Sequence, residues 1–209
     1  MSTRCSYYDN FGLVTPPPPP IAMRIATDRL VLRAPRTMDV TELRHSLRRN
    51  AEHLRAWSPA PVQGEDPSSL TAVSKLVIRH RREWKRGEAF VLLVTKREPG
   101  EPIIGRVALG GVMRGVFQNA YLGYWIDHAH QGLGLMTEAV AAAVEFAMGT
   151  ACLHRVQAAV MPGNVASIRV MEKVGFRREG VAERYLCIAG KWEDHVLFGV
   201  TAEEWGAAR

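Results

Sequence analysis

A glycine turn between a strand-like run and a helix-like run is the feature that most restricts how this chain can fold. Residues 121–126 are β-compatible, and residues 135–148 carry apolar side chains at helical spacing. Between them, Gly132 and Gly134 lack Cβ atoms, so the backbone can turn tightly and approach a ligand closely. The first N–H groups of a helix have no intrahelical partners and lie at the positive end of its dipole. The pattern fits an anion site at the helix start, although a Gly-x-Gly before a helix is more often a plain turn.

The remaining runs predict an α+β, or mixed α/β, fold with a largely antiparallel sheet flanked by helices. Strand-like segments cover residues 29–33, 89–95, 103–112, 121–126 and 155–160, and a hairpin covers residues 176–200. Helix-like segments cover residues 38–56, 68–86, 135–148 and 164–174. In the second helix we expect one buried face, formed by Leu70, Val73, Leu76 and Val77. Neighbouring hairpins at both ends favour antiparallel pairing.

Five consecutive prolines, residues 16–20, suggest a domain boundary near the start of the chain. Such a run adopts an extended polyproline conformation. We therefore expect residues 1–22 to form an N-terminal tail with a polyproline linker. Residues 23–209 are long enough for one domain with a single core.

Charge and hydropathy narrow the choice of partners and compartment. The net charge of +6 is concentrated in two helix-like stretches, residues 44–49 and 79–86. A solvated helix face explains both stretches, and weak contact with an RNA-rich surface such as a ribosome is the alternative. No apolar run approaches the ~20 residues that span a bilayer, and the first residues do not resemble a signal peptide. We expect a cytoplasmic protein without membrane contact, either a monomer or a homodimer. His154 and His195 lack metal-ligand spacing, so we expect no metal and treat both as ordinary strand residues.

Ordered motifs carry a resemblance to a known family over residues 24–200. The motifs are Thr27–Arg33, Tyr124–Ile126 followed by Gln131–Ala139, Asn164 with Ser167, Lys173–Phe176, Glu179-Gly180, and Gly190 with Asp194. Together they resemble the GCN5-related N-acetyltransferase (GNAT) superfamily, in particular its RimJ/RimL-type branch of ribosomal-protein-alanine N-acetyltransferases. The resemblance implies a single twisted sheet that is splayed in the middle. It also implies acetyl-CoA as the acyl donor.

The resemblance further implies which residues bind acetyl-CoA. Residues around the glycine turn would hold the pyrophosphate, and the splayed strand would pair with the pantetheine arm. The implied cofactor-binding residues are Trp125, Ile126, Gln131, Gly132, Leu133, Gly134, Leu135, Met136, Thr137, Asn164 and Ser167. The family pattern begins with Arg or Gln where this chain has Ala129, so backbone N–H groups must supply most of the site. Asn164 also suits a helix N-cap, with Ser167 in the same capping network.

The catalytic residues implied by the resemblance are Ser167 and, less directly, Glu183. Ser167 would hydrogen-bond the departing thiolate as the general acid. The glutamate expected as general base is replaced by Leu186, and Glu183, three residues earlier, would need a bulge or a register shift to take its place. Other carboxylates are interpreted as solvated: Glu88 and Asp127 in turns, and Glu138 and Glu145 on a helix surface.

The predicted function is acetyl transfer from acetyl-CoA to a protein N-terminal α-amine, possibly the N-terminal alanine of a ribosomal protein. An α-amine has a pKa of about 7.7–8, against about 10.4 for lysine. A substantial fraction is therefore neutral at pH 7, so a weak base suffices. Direct attack in a ternary complex is expected, because no residue stands out as an acyl carrier. Two alternatives remain open: acetylation of a small amine such as a polyamine or aminoglycoside, and non-catalytic acyl-CoA binding.

Overall fold

Eight strands form one open sheet in the computed structural model, which describes residues 15–61, 64–98, 100 and 102–207. The strands are β1 (Arg24–Ala26), β2 (Leu30–Arg33), β3 (Phe90–Lys96), β4 (Ile103–Met113), β5 (Asn119–Ile126), β6 (Arg155–Val160), β7 (Arg177–Ile188) and β8 (Lys191–Thr201). Their order across the sheet is β1-β2-β3-β4-β5-β6-β8-β7. Every neighbouring pair is antiparallel except β5 and β6, which are parallel. The predicted mixed fold with a largely antiparallel sheet is confirmed.

Six helices lie within the described residues. They are α1 (Val40–Arg49), α2 (Ala51–Arg55), α3 (Leu70–Arg86), α4 (Leu135–Glu145), α5 (Val165–Val174) and α6 (Ala202–Ala207). The helix expected over residues 38–56 is divided at Asn50, whose side-chain amide donates to the Ser46 carbonyl. The expectation that Leu70 is buried is wrong. Leu70 is the first residue of α3 and is 55% exposed, whereas Val73 and Val77 lie in the core.

The helices cover both faces of the sheet. On one face α1 and α3 enclose a small cluster, which contains Leu43, Val73, Val77, Leu93, Ile103 and Trp125. On the other face α4 packs against β2, β4 and β5, and α5 packs against α4. The stripe expected on α4 is buried there, with Met136, Val140, Ala143 and Val144 in the larger core. This second face carries the glycine turn that precedes α4.

The polyproline segment packs against the folded body. Pro16 and Pro19 are buried. The Trp84 indole N–H donates to the Pro19 carbonyl at 2.8 Å, and Trp84 itself is 1% exposed. Residues 16–20 therefore contribute to the core, whereas residues 1–14 of the expected tail lie outside the described residues.

Part of the basic charge of α1 and α3 is used inside the protein. Arg44 donates to the Ser68 carbonyl, Arg81 donates to the Pro35 carbonyl, and Arg49 pairs with Asp127. These three guanidinium groups hold loops to the helices, so the two stretches are not simply solvated faces. Among the described residues, no helix combines the length and apolar character needed to cross a membrane.

Candidate active site

A gap opens between β5 and β6 in the middle of the sheet. These strands pair over only four residues, and the last pair joins Leu122 to Ala158. Both strands continue beyond it. Gly123 is the first β5 residue past the pairing and keeps its register with Ala108 of β4, so the gap starts without a bulge at the glycine. The splayed sheet is thereby confirmed, and the free edge of β5 offers backbone groups to an extended amide chain.

The glycine turn lies at the end of β5, immediately before α4. Gly132 and Gly134 have φ angles of +74° and +73°, which L-residues with a Cβ adopt only under strain. A Cβ built on Gly132 would meet nothing within 4 Å, so the turn is open on its outer side. The first N–H groups of α4 face the same space without intrahelical partners. The arrangement fits a pyrophosphate held by backbone N–H groups and the helix dipole.

Side chains in the turn contribute less than the backbone. Leu135 and Met136 are 6% and 5% exposed and point into the core, so only their N–H groups can face a ligand. Leu133 is 56% exposed. The Gln131 side-chain nitrogen lies 2.7 Å from His53 Nε2, and this contact holds the entrance of the turn against α2.

Glu138 anchors the first turn of α4 to the start of β2. Its Oε1 accepts from the Thr27 hydroxyl at 2.5 Å and from the Arg29 backbone N–H at 3.0 Å. Its Oε2 accepts from Arg29 Nε at 2.6 Å. Burial raises the pKa of the Glu138 carboxyl, but these hydrogen bonds outweigh burial and hold that pKa below its ordinary value. The interpretation of Glu138 as a solvated surface charge is therefore wrong.

Glu145 is exposed, as the surface interpretation expects. Its carboxylate accepts from the Trp205 indole N–H at 2.7 Å, so it joins α4 to α6.

Asp127 anchors the other end of the loop. It is 3% exposed and accepts from Arg49 Nε, from the Asn50 amide at 3.1 Å and from the Ala129 N–H at 3.0 Å. Burial alone would raise the pKa of the Asp127 carboxyl, but the bonds from Arg49, Asn50 and the Ala129 N–H lower it below the ordinary value. Its interpretation as a solvated turn residue is wrong, because its three donors tie the loop to the end of α1.

Asn164 and Ser167 meet at the start of α5, beside the gap. The Asn164 Oδ1 accepts from the Ser167 N–H at 3.1 Å, which confirms the predicted N-cap. The Ser167 hydroxyl lies 2.7 Å from the Tyr124 hydroxyl, and the Ser167 carbonyl oxygen lies 3.1 Å from the same Tyr124 oxygen, so the single phenolic proton goes to one of these two acceptors at a time. Tyr124 lies just past the last β5–β6 pair, so this hydroxyl pair stands at the edge of the gap.

Tyr124 is the polar site residue that the sequence argument did not single out. Burial raises the pKa of Tyr124 to about 12, and the Ser167 hydrogen bond offsets only part of that effect. The phenol therefore stays protonated near neutral pH. When Tyr124 donates its proton to the Ser167 hydroxyl oxygen, the Ser167 hydroxyl is free to donate its own proton to a third group in the gap.

Trp125 and Ile126 take part through their backbone. The Trp125 side chain is 8% exposed and packs in the α1–α3 cluster, so its indole ring does not line the gap. The two residues pair with Arg106 and Gly105 of β4 on one side. On the other side they have no β6 partner in the described register.

The β7–β8 hairpin contains the bulge that Glu183 would need. Ala182 pairs with His195, but the next pair joins Leu186 to Glu193, so β7 advances four residues while β8 advances two. Arg184 has a φ angle of +47°, and its N–H donates to the Asp194 carboxylate at 2.8 Å, which closes the bulge. Glu183 lies in this bulge and is exposed. No resolved contact links Glu183 to the hydroxyl pair.

Comparison with known proteins agrees with this geometry. A family model described as Acetyltransferase (GNAT) domain matches residues 29–177. The [ribosomal protein uS5]-alanine N-acetyltransferase of Escherichia coli is 36% identical over 188 residues, which cover 90% of this chain and 95% of that protein. The probable N-acetyltransferase YjcK of Bacillus subtilis is 32% identical over 166 residues, covering 79% and 91% of the two chains.

Two solved structures have the same fold. The ribosomal-protein-S5-alanine acetyltransferase of Vibrio fischeri superposes with a TM-score of 0.81 at 28% identity, covering 88% of this chain and 98% of that one. Mycobacterium smegmatis RimJ in complex with CoA-disulfide superposes with a TM-score of 0.76 at 29% identity, covering 86% and 88%.

Proposed function

The chain belongs to the GNAT acetyltransferase family, and on this premise we propose that it acetylates the α-amine of a protein N-terminus, with a ribosomal protein that begins with alanine as the acceptor. As a member of this family it is an acyltransferase that uses acetyl-CoA. The choice of acceptor rests on one observation. The chain is 36% identical, over nearly its whole length, to an enzyme that acetylates an alanine of a ribosomal protein.

We assign the binding of acetyl-CoA to the glycine turn and the gap. The backbone of residues 131–137 would hold the pyrophosphate, and the free edge of β5 at Trp125 and Ile126 would pair with the pantetheine amides. Asn164 uses its oxygen to cap α5, so its amide N–H groups remain for the same arm. Acetyl-CoA supplies an acetyl thioester, and the protein's task is to hold it beside Ser167.

Ser167 is the proposed proton donor to the departing sulfur. A serine hydroxyl is a weak acid, so its role is to stabilise negative charge as that charge develops on the sulfur. Tyr124 supports this role because its own proton can move towards the Ser167 oxygen while the serine proton turns to the sulfur.

The amine also has to lose a proton. The family pattern places Leu186 at the position of the base, and Glu183, three residues earlier, is the nearest glutamate; the bulge allows its carboxylate a position different from that of an unbroken strand. The demand on this base is modest, because an α-amine with a pKa of about 7.7–8 is partly neutral at pH 7.

The acceptor is tested with peptides. Purified protein is given acetyl-CoA with peptides that begin with Ala, Ser or Met, and thiol release is followed together with the mass of the product. We expect one added acetyl group on the α-amine, fastest for alanine. A peptide of the same sequence with a blocked N-terminus and a free lysine is the control. Turnover of a polyamine panel without turnover of any peptide would replace the proposed acceptor by a small amine.

The role of Ser167 is tested by Ser167→Ala. The substitution removes the hydroxyl but keeps the backbone N–H that Asn164 caps, so the helix start is preserved. We expect kcat to fall by about 10²-fold, as for loss of a general acid. The rise in melting temperature with CoA should match that of the wild type. Unchanged kcat would remove Ser167 from the mechanism.

A further inference from the structure

A buried histidine lies beside the gap on the face opposite Ser167. His195 is 3% exposed. Its Nδ1 lies 2.9 Å from the Glu193 carbonyl oxygen, which can only accept, so Nδ1 carries the proton. In the neutral ring, Nε2 then keeps its lone pair. Within the described residues Nε2 has no hydrogen-bond partner, although part of its surface is still accessible. Nε2 is therefore not completely enclosed by protein atoms.

Strand register places His195 at the gap. Leu122, Ala158 and Phe198 form one row across β5, β6 and β8. Trp125 and His195 each lie three residues beyond this row, towards the open end. Side chains alternate along a strand, so both project from the face opposite Phe198. Tyr124, two residues beyond Leu122, projects from the same face as Phe198 and meets Ser167 there. His195 and Ser167 thus flank the opening from its two sides.

The hairpin holds the imidazole in place. The Tyr185 ring lies 5.9 Å from the His195 ring in an edge-on arrangement, and Tyr185 belongs to the β7 bulge. At the hairpin tip the Ala189 N–H donates to the Ser58 carbonyl at 3.1 Å, which closes the hairpin against the segment after α2. The bulge therefore has a structural purpose: it packs Tyr185 against His195.

We propose that His195, rather than Glu183, is the group that accepts the proton of the attacking amine; this deepens the proposed function and rests on it. The amine nitrogen forms a bond to the thioester carbonyl carbon from the hairpin side. The carbon–sulfur bond then breaks, and the sulfur takes its proton from Ser167 on the α5 side. The proton lost by the nitrogen passes to Nε2, directly or through one water, and returns to solvent. Solvent returns one proton to Ser167 through the Tyr124 hydroxyl, so one proton leaves the nitrogen, one reaches the sulfur, and both His195 and Ser167 regain their starting states.

The charged groups around the imidazole are few. On β8 they are Glu193, which pairs with Lys191 at 3.2 Å, and Asp194, which accepts from the Arg184 N–H. On β7 they are Glu183 and Arg184 in the bulge, together with the Tyr185 phenol. Because Glu183 also titrates near the imidazole, kcat has to be measured against pH in variants of both His195 and Glu183.

The test uses His195→Gln and Glu183→Gln with an acceptor peptide that begins with alanine. We expect His195→Gln to lower kcat by about 10²-fold at pH 7. The stabilisation by CoA should be unchanged. The fall in kcat should become smaller at higher pH, since hydroxide can then take the proton that Nε2 accepts in the wild type. His154→Gln, at the opposite end of β6, is the matched control and should keep wild-type kcat.

Two further experiments test the proposal: chemical rescue by imidazole and chemical modification of the wild type. Free imidazole should restore activity to His195→Ala, because the substitution leaves a cavity of the size of the imidazole ring in which the added imidazole can accept the proton. If the variants do not fold, carbethoxylation of the wild type replaces them, and the acceptor peptide should protect His195 from modification.

Wild-type kcat in folded His195→Gln, or in wild type modified at His195, would overturn the assignment. So would loss of activity in Glu183→Gln alone. A wild type that acetylates no α-amine contradicts the proposed function instead, and the two failures are thus distinguished.

Discussion

Replacing Asp127 by alanine tests whether a buried carboxylate holds the loop that precedes α4. The substitution removes three hydrogen bonds at once. The Ala129 N–H loses a cap worth about 1 kcal/mol. The Asn50 amide, in a residue only 1% exposed, keeps its bond to the Ser46 carbonyl but loses the partner of its second N–H, at about 1–3 kcal/mol. Arg49 is 42% exposed at its side chain, so its share is at most about 1 kcal/mol. We expect the free energy of unfolding to fall by about 2–5 kcal/mol in all.

Urea unfolding and calorimetry measure this loss. For a chain of this size the melting temperature should fall by roughly 5–15 °C. Asp28→Ala is the control, since Asp28 is exposed and precedes β2. Hydrogen bonding lowers the folded-state pKa of Asp127, so its contribution is present above the unfolded value of about 3.9 and is lost as pH falls through the folded value. The wild type and Asp127→Ala should therefore converge in acid. A loss no larger than that of Asp28→Ala, or a difference that grows in acid, would refute the argument.

Two other substitutions separate the backbone site from the hydroxyl pair. Gly134→Ala should cost about 1–2 kcal/mol and weaken CoA binding, because φ is +73° while the new Cβ meets only Arg29 Nη2 at 3.6 Å. Gly149→Ala, whose φ is not positive, is its control in unfolding and CoA titration, and equal losses would exclude backbone strain as the cause. Tyr124→Phe removes one hydrogen bond and should lower kcat about tenfold without changing the CoA-induced rise in melting temperature. An unchanged kcat would make the tyrosine hydroxyl purely structural.

Features with local causes were predictable from the sequence. The glycine turn, the Asn164 cap and the final hairpin depend on residues a few positions apart, and the structure places each of them where the sequence indicated. Binary patterning similarly located β6 and the buried stripe of α4. Such features follow from φ angles, caps and side-chain periodicity, which a single segment determines on its own.

Features that join distant segments were not predictable. Glu138 meets Thr27 across 111 positions, and Asp127 meets Arg49 across 78. Taken alone, the sequence around each carboxylate predicts a solvent-exposed charge. Tyr124 could have been found, because its place two residues beyond Leu122 puts it on a buried face where its hydroxyl needs a partner. The bulge in β7 depends on the packing of Tyr185 against His195, which no single segment reveals.

The anchors of the glycine turn suggest how the proposed pyrophosphate site would bind an anion without a basic first residue. Ala129 occupies the position where the family pattern has Arg or Gln, so binding depends on the aim of backbone N–H groups. The positions of those N–H groups depend on the conformation of the loop that carries them. Arg29, the arginine beside the turn, donates to the Leu133 carbonyl and pairs with Glu138, so its charge orders the turn before any ligand arrives. Arg49 does the same at the other end through Asp127. The chain therefore uses its cations to position backbone dipoles, and preorganised dipoles stabilise charge without reorienting when the ligand binds.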